Sequence, residues 1–233
     1  MKKIRSVILL ATCMVLFPAF MNGQQMVKEN RNLSGFDGIG FGISGNLYIS
    51  FGSDFKVVVE ASKDFADEIL TEVRNGKLHI RRENFNFFGN EKANVYVTLP
   101  RLTSLNLSGS GKAEVEGTLK TDRIDLSVSG SGKINIPELS VSEMGCSISG
   151  SGDIYLGGGQ VGTAKLSISG SGGYSGENAS IRSFQASISG SGSCNCKVED
   201  ELVARISGSG NIYYSGNPRL DVKSSGSGHV RSR

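Results

Sequence analysis

The sequence predicts an all-β fold: a β-solenoid of stacked units of about 20 residues, with a strand-rich N-terminal segment and one short helix. The first observation behind this is a repeat. Ser-Gly-Ser-Gly is written six times between Ser108 and Gly210 and once more at Ser225-Gly226-Ser227-Gly228. The leading glycines fall at Gly109, Gly130, Gly150, Gly170, Gly190, Gly208 and Gly226, a period of 21, 20, 20, 20, 18 and 18 residues. The second is composition: 32 Gly, four Pro and no Trp in 233 residues favour strands and turns over helices. The third is alternation. In steps of two, Leu126, Val128, Gly130, Gly132, Ile134 and Ile136 share one face, while Ser127, Ser129, Ser131, Lys133 and Asn135 share the other.

The chain divides into four stretches. Residues 1–23 read as a secretory signal, with Lys2, Lys3 and Arg5 ahead of an apolar core from Val7 to Phe17 that is too short to span a bilayer. Cleavage is expected near Gly23-Gln24. The alternative is a lipoprotein, because Leu10-Ala11-Thr12-Cys13 loosely resembles a lipobox. Residues 24–32 form a polar stretch, and the ordered part is expected to start at Leu33. Residues 33–100 form the strand-rich segment and residues 101–233 the repeat solenoid.

Within the strand-rich segment, Ile39, Phe41 and Ile43, then Leu47, Ile49 and Phe51, alternate as half-buried strands do. Val57–Glu60, Leu78–Ile80 and Ala93–Leu99 are further strands. Phe65, Ile69, Leu70 and Val73 lie at helical spacing, predicting a helix over 64–73 that stops at Asn75-Gly76. A polar loop spans 83–92.

In the repeats, a strand that buries one face is unstable alone, so successive units must share a core. A coil of one unit per rung and an antiparallel meander both satisfy this. The coil is preferred because equivalent residues then stack at about 4.8 Å. The glycines fall where the coil bends or where its walls approach too closely for a Cβ. The serines form an outward hydroxyl ladder.

The order of several motifs resembles one family. Leu33-Ser34-Gly35-Phe36, Val57-Val58-Val59-Glu60-Ala61, Glu72 to Leu78, Val95 to Pro100, the Ser-Gly repeats and Ile212 to Pro218 are similar to the putative autotransporter adhesin head GIN domain family, found in secreted and envelope proteins of Bacteroidetes. The resemblance covers about residues 33–232 and implies a right-handed β-helix-like fold at the cell surface or in the periplasm. It implies no catalytic residues. The repeats depart from relatives that run Ser-Gly-Gly-Ser-Asp, since an acid follows the second glycine only at Asp153.

Other motifs weigh against catalysis and cofactors. Gly40 to Gly45 and Gly157 to Gly162 spell a dinucleotide fingerprint, but strand-like alternation follows each where a helix is required. Cys194-Asn195-Cys196 suggests a metal clip or redox pair, yet Cys146 takes the interior slot of Leu126 and Leu166, and Cys194 and Cys196 take those of Ile134 and Ile136. Buried thiols in place of aliphatic side chains are the expectation, without metal or cofactor. A calcium ladder needs an acid in each turn, and the position reads Lys112, Lys133, Asp153, Gly173, Ser193, Asn211 and His229. A glycoside hydrolase needs a carboxylate pair, whereas Glu114 is followed by Asn135 and Tyr155 on its row. Asp122 with Asp125 and Glu199 to Glu201 read as solvated turn charges. Removing the three basic residues of the signal leaves 22 basic against 22 acidic, no electrostatic footprint for nucleic acid.

The function expected is therefore non-catalytic: an exported envelope protein with an adhesive or structural role, exposing rows of side chains for weak multivalent contact with glycans or envelope proteins. The candidate contacts are Lys112, Lys133, Tyr155, Tyr174 and Tyr213, of which Tyr174 falls on the inner phase. A polysaccharide lyase or hydrolase and a periplasmic scaffold or sensor partner are the alternatives. The destination is the periplasm, the outer-membrane surface or the medium, with no transmembrane segment after signal removal. An exposed terminal strand edge makes a homo-oligomer a further expectation.

Overall fold

The structure is a computed structural model and describes residues 25–83 and 91–233. The signal segment, Cys13 and most of the predicted 83–92 loop lie outside the described residues. The repeats coil: about six turns of a β-solenoid are stacked from the 20-residue units. β8 (Ser104–Gly109), β10 (Thr118–Gly130), β12 (Glu138–Gly150), β14 (Gly159–Gly170), β15 (Gly173–Gly190), β16 (Ser193–Gly208) and β18 (Arg219–Ser225) pair in parallel, each with the next. The register equates Gly109, Gly130, Gly150, Gly170, Gly190 and Gly208. Antiparallel zigzagging would reverse every second strand, so this pairing excludes the meander.

Each middle coil has three sides. The residues before Ser-Gly-Ser-Gly form side 1. The motif turns the corner into side 2, built from β9 (Lys112–Val115), β11 (Lys133–Ile136), β13 (Asp153–Leu156), the starts of β15 and β16, β17 (Asn211–Ser215) and β19 (Val230–Ser232). The first residues of β10, β12 and β14 form side 3, and pairing skips Asp122, Ser142 and Gly162 where the chain bends back to side 1. The two shorter periods start at one corner of the stack. Between β15 and β16 the register jumps from Gly176↔Cys196 to Ser180↔Lys197, and it regains one residue between Ile181 and Ser183.

The two glycines of each motif do different work, which alternation alone did not separate. Gly150, the leading one, is half-exposed at the corner with φ +109°, a left-handed conformation that disfavours a side chain, and a Cβ there would sit 2.6 Å from the Gly130 carbonyl oxygen. Gly152 is buried, and a Cβ there would meet Val128 Cγ1 at 2.4 Å. Only the second glycine therefore faces inward.

The N-terminal segment does not simply precede the stack. β2 (Gly38–Gly42) pairs with both β6 (Lys77–Arg82) and β8, and β3 (Gly45–Phe51) pairs with both β7 (Ala93–Leu99) and β9, all in parallel. The first coil in sequence is thus the second in space, sandwiched when the chain returns. Beyond it, β4 (Lys56–Ser62) lies antiparallel to β7, and β1 (Met26–Arg31) antiparallel to β4. Strand structure is thus already present at Met26, inside the stretch 24–32 that its polar composition set before the ordered part.

The helix is shorter than predicted. α1 spans Lys63–Glu68, and Ile69–Arg74 is instead β5, antiparallel to β6. Asn75 and Gly76 take φ of 51° and 71°, the two positive values of a type I′ hairpin turn. The Asn-Gly pair is therefore a hairpin turn between two strands, and the helical spacing of Ile69, Leu70 and Val73 yields to that pairing.

Candidate functional site

The interior of the solenoid is filled. Leu105, Leu126, Cys146, Leu166, Ala186 and Ala204 stack as one inward row of side 1, and Leu107, Val128, Ile148, Ile168, Ile188 and Ile206 as the next, all buried. On side 2, Ile134, Ile154, Tyr174, Cys194 and Ile212 share a row. Tyr174 is fully buried, with its ring 5.7 Å from that of Phe184 and over Gly176, whose absent Cβ makes room for it. It is a core residue, and its inward phase removes it from the candidate surface contacts.

Cys146, Cys194 and Cys196 are free and buried beside this ring. Burial pushes the Cys146 thiol up to about 12, so it stays protonated and unreactive at neutral pH. Among the described residues no group of three or more His, Cys, Asp or Glu is placed to hold a metal ion. Both dinucleotide spellings run into strands, β3 and β14, so no helix N-terminus is there to receive a phosphate.

Side 2 carries the other predicted contacts. Tyr155 is 47% exposed and lies beside Asn135 and Ser175 on neighbouring coils, so its ring faces are not covered by another ring. Lys112 is ion-paired with Glu114, and Lys133 with Asp153 at 2.9 Å, so both cations are neutralised within their own surface. The Arg233 guanidinium covers one face of Tyr213 at 4.8 Å. Further along the same row, Tyr48 and Tyr96 stack at 5.1 Å and 15°. Each of those rings covers the other, and Tyr96 donates its hydroxyl to Glu60 at 2.8 Å. That pair is a structural ladder that the sequence reading did not single out.

The continuous concavity is on side 1, among the serines. Three depressions of about 300, 450 and 360 Å³ adjoin one another across side 1. The first two share Arg123, Gly145 and Lys165, and the last two share Ser167 and Ser187. Their floor is short side chains: Ser127, Ser147, Ser167 and Ser187 in one row, with Ser169, Ser189, Ser207 and Ser225 beside it. Gly145, between Asp125 and Lys165 on its row, opens one wall. Arg205 and Lys223 replace serine at the far end. The result is a shallow groove that crosses successive coils of side 1 obliquely, with serine hydroxyls along it. Repetition of Ser hid it, because a groove here is a difference in side-chain length between rows and not a motif.

Two further features bear on chemistry. On side 3, Lys120, Thr121, Ser140, Gln160, Arg182 and Glu199 line a polar cleft of about 450 Å³. At the groove mouth, Arg123 bridges Asp125 at 3.1 Å and Glu143 at 3.2 Å. The two carboxylates thus share one guanidinium.

These faces, on a stack capped at one end, can be compared with known proteins. The family model described as "Putative auto-transporter adhesin, head GIN domain" matches residues 35–218. The chain belongs to that family. Solved structures similar to this head GIN domain include a putative adhesin from Bacteroides fragilis NCTC 9343, 22% identical with a TM-score of 0.83, covering 90% of this chain and 98% of that one. A putative adhesin from Parabacteroides distasonis ATCC 8503 is 19% identical with a TM-score of 0.73, covering 91% and 98%. A protein from the same organism described as a putative lipid binding protein is 22% identical with a TM-score of 0.70, covering 91% and 98%. At these identities the likeness shows the fold. No curated protein matches the chain. Among the described residues no helix is long and apolar enough to cross a membrane.

Proposed function

We propose that this head GIN domain is a non-catalytic, exported cell-envelope protein that binds adhesively through the long faces of its solenoid, with a linear glycan lying in the side 1 groove. The observation that carries the reading is the continuity of that groove across successive coils. Hydroxyls recur at the coil spacing of about 4.8 Å, so an extended chain meets the same weak contact many times, and the contacts sum. Tyr155, with Lys112, Lys133 and Tyr213 around it, is the second contact surface on side 2. An exported location agrees with the adhesin family and with the signal-like start of the sequence.

A lipid is the occupant suggested by one structural neighbour. The filled interior leaves no enclosed cavity for an acyl chain among the described residues, so a lipid would have to lie on the open outer surface, where much of the chain stays in water. Polysaccharide cleavage finds no support in the Arg123-bridged acids.

Ser167, common to two of the depressions, is the residue to change. Retention on a panel of immobilised polysaccharides and lipid vesicles is expected for polysaccharide only, with Ser167→Tyr weakening it about tenfold or more by filling the groove, and with no new reducing ends. Retention on vesicles alone, retention indifferent to Ser167→Tyr, or shortening of the polysaccharide would each overturn the reading. Protease shaving of intact cells tests the location, since a surface protein is cut and a periplasmic one is spared.

A further inference from the structure

The two ends of the stack are finished differently. At one end, β1, β4 and α1 close the solenoid, and their charges are spent on each other: Lys28 with Glu60 at 3.2 Å, Glu29 with Arg31 at 2.7 Å and Lys63 with Glu29 at 3.6 Å. Such an edge is blunted against pairing. At the other end β18 pairs with β16 alone among the described residues, and all seven of its residues are exposed. Leu220 and Val222 continue the inward rows of Leu202 and Ala204, which are fully buried, yet they remain 44% and 42% exposed. The core is thus left open at this end, beside a strand with no second strand partner among the described residues.

The sequence of β18, Arg219-Leu220-Asp221-Val222-Lys223-Ser224-Ser225, says what fits there. Antiparallel pairing with itself about Val222 places Val222 opposite Val222 and Leu220 opposite Ser224 on the inner side. On the outer side it places Asp221, whose carboxylate also accepts from Arg205 at 2.6 Å within its own chain, opposite Lys223, twice by symmetry. Centring on Asp221 instead would oppose Asp221 to Asp221 and Arg219 to Lys223, and like charges directly across a ladder destabilise it. Shifting by one residue would set inward against outward faces. Centring on Leu220 would bring Pro218, which has no backbone N–H to donate, into the ladder opposite Val222. Only the Val222 register uses the whole strand with opposite charges matched.

We propose that β18 is a homodimerisation edge, through which two copies join tail to tail in an antiparallel β18–β18 pair centred on Val222. The contact is isologous and closes on itself, so it yields dimers and not filaments. The two-fold axis lies normal to side 1, so the side 1 faces of both copies become one longer face. The proposal stands without the glycan reading, and its test needs no ligand.

The test combines mass with cross-linking. Sedimentation of the protein at roughly 100 µM, where even an interface at the small end of the size range is populated, is expected to give a dimer. Lys223→Glu, which sets like charges across both outer pairs, is expected to weaken it at least about tenfold without altering the monomer's melting. Under mild oxidation, Val222→Cys should cross-link to itself, because residues opposite one another on antiparallel strands lie within disulfide reach. Asp221→Cys should not, but should cross-link when mixed with Lys223→Cys. The other described cysteines are buried and do not compete. A monomer at that concentration, an assembly that keeps growing with concentration, or a dimer that ignores Lys223→Glu and leaves Val222→Cys unlinked would overturn the proposal.

Discussion

Single residues set the tolerances of this stack. A Cβ at Gly152 would collide with both the Val128 side chain and the Gly132 carbonyl oxygen, so Gly152→Ala must push one coil off the next. Loss of about 1–3 kcal/mol or more is expected, read as a lowered denaturation midpoint. The opposite sign is expected one coil away. The Tyr174 hydroxyl is buried without a hydrogen-bond partner among the described residues, and desolvation, with the neighbouring thiols, raises its pKa well above the usual value. Tyr174→Phe keeps the ring that fills the space over Gly176 and removes the orphaned group, so stability should rise by about 1 kcal/mol. A midpoint that falls would show that the hydroxyl is satisfied. The role of Tyr174 as core was half visible in sequence, since its phase was inward. Its burial was decided by a neighbour two positions on, Gly176, whose missing side chain admits the ring. The cysteines were fully legible, because their phase and the aliphatic residues above and below them agree.

At the scale of elements, alternation and the 20-residue period were enough to place the repeat strands. What they could not show was the order of coils at the capped end. The insertion of β2 and β3 between later strands depends on long-range pairing that leaves no local trace. The hairpin at Asn75-Gly76 did leave one. Its Asn-Gly signal competed with a helical spacing of apolar residues and won, since β5 can then pair with β6. The cap itself has an electrostatic signature. Tyr96, first, and Lys28, next, hold the Glu60 carboxyl below its ordinary value of 4.5. A carboxyl whose folded pKa is depressed adds stability in full above the unfolded value, and that stability is lost as pH falls through the folded one. Between neutral pH and 4.5 the contribution should be constant, and it should fade below 4.5. Denaturation midpoints of the protein and of Tyr96→Phe, taken across that range, should differ by a fixed amount above it and converge below it. A difference that persists into strong acid would assign the effect of Tyr96 to packing alone.

For the whole molecule, a chain rich in Ser and Gly becomes a rigid rod because each coil supplies the missing half of its neighbour's core. The fold and the family were readable from that regularity. The binding surface was less so. The variable residues Lys112, Lys133 and Tyr213 drew notice in the sequence, but their neighbours neutralise or cover them. The repeated serines, outward and short, sink the floor of the groove instead. Once a retained polysaccharide is in hand, mapping amide chemical-shift changes on the protein distinguishes these surfaces directly. The expected changes run along Ser147, Ser167, Ser187 and Arg205 on adjacent coils of side 1. Changes confined to side 2 around Tyr155, or to the side 3 cleft around Arg182, would contradict binding in the groove.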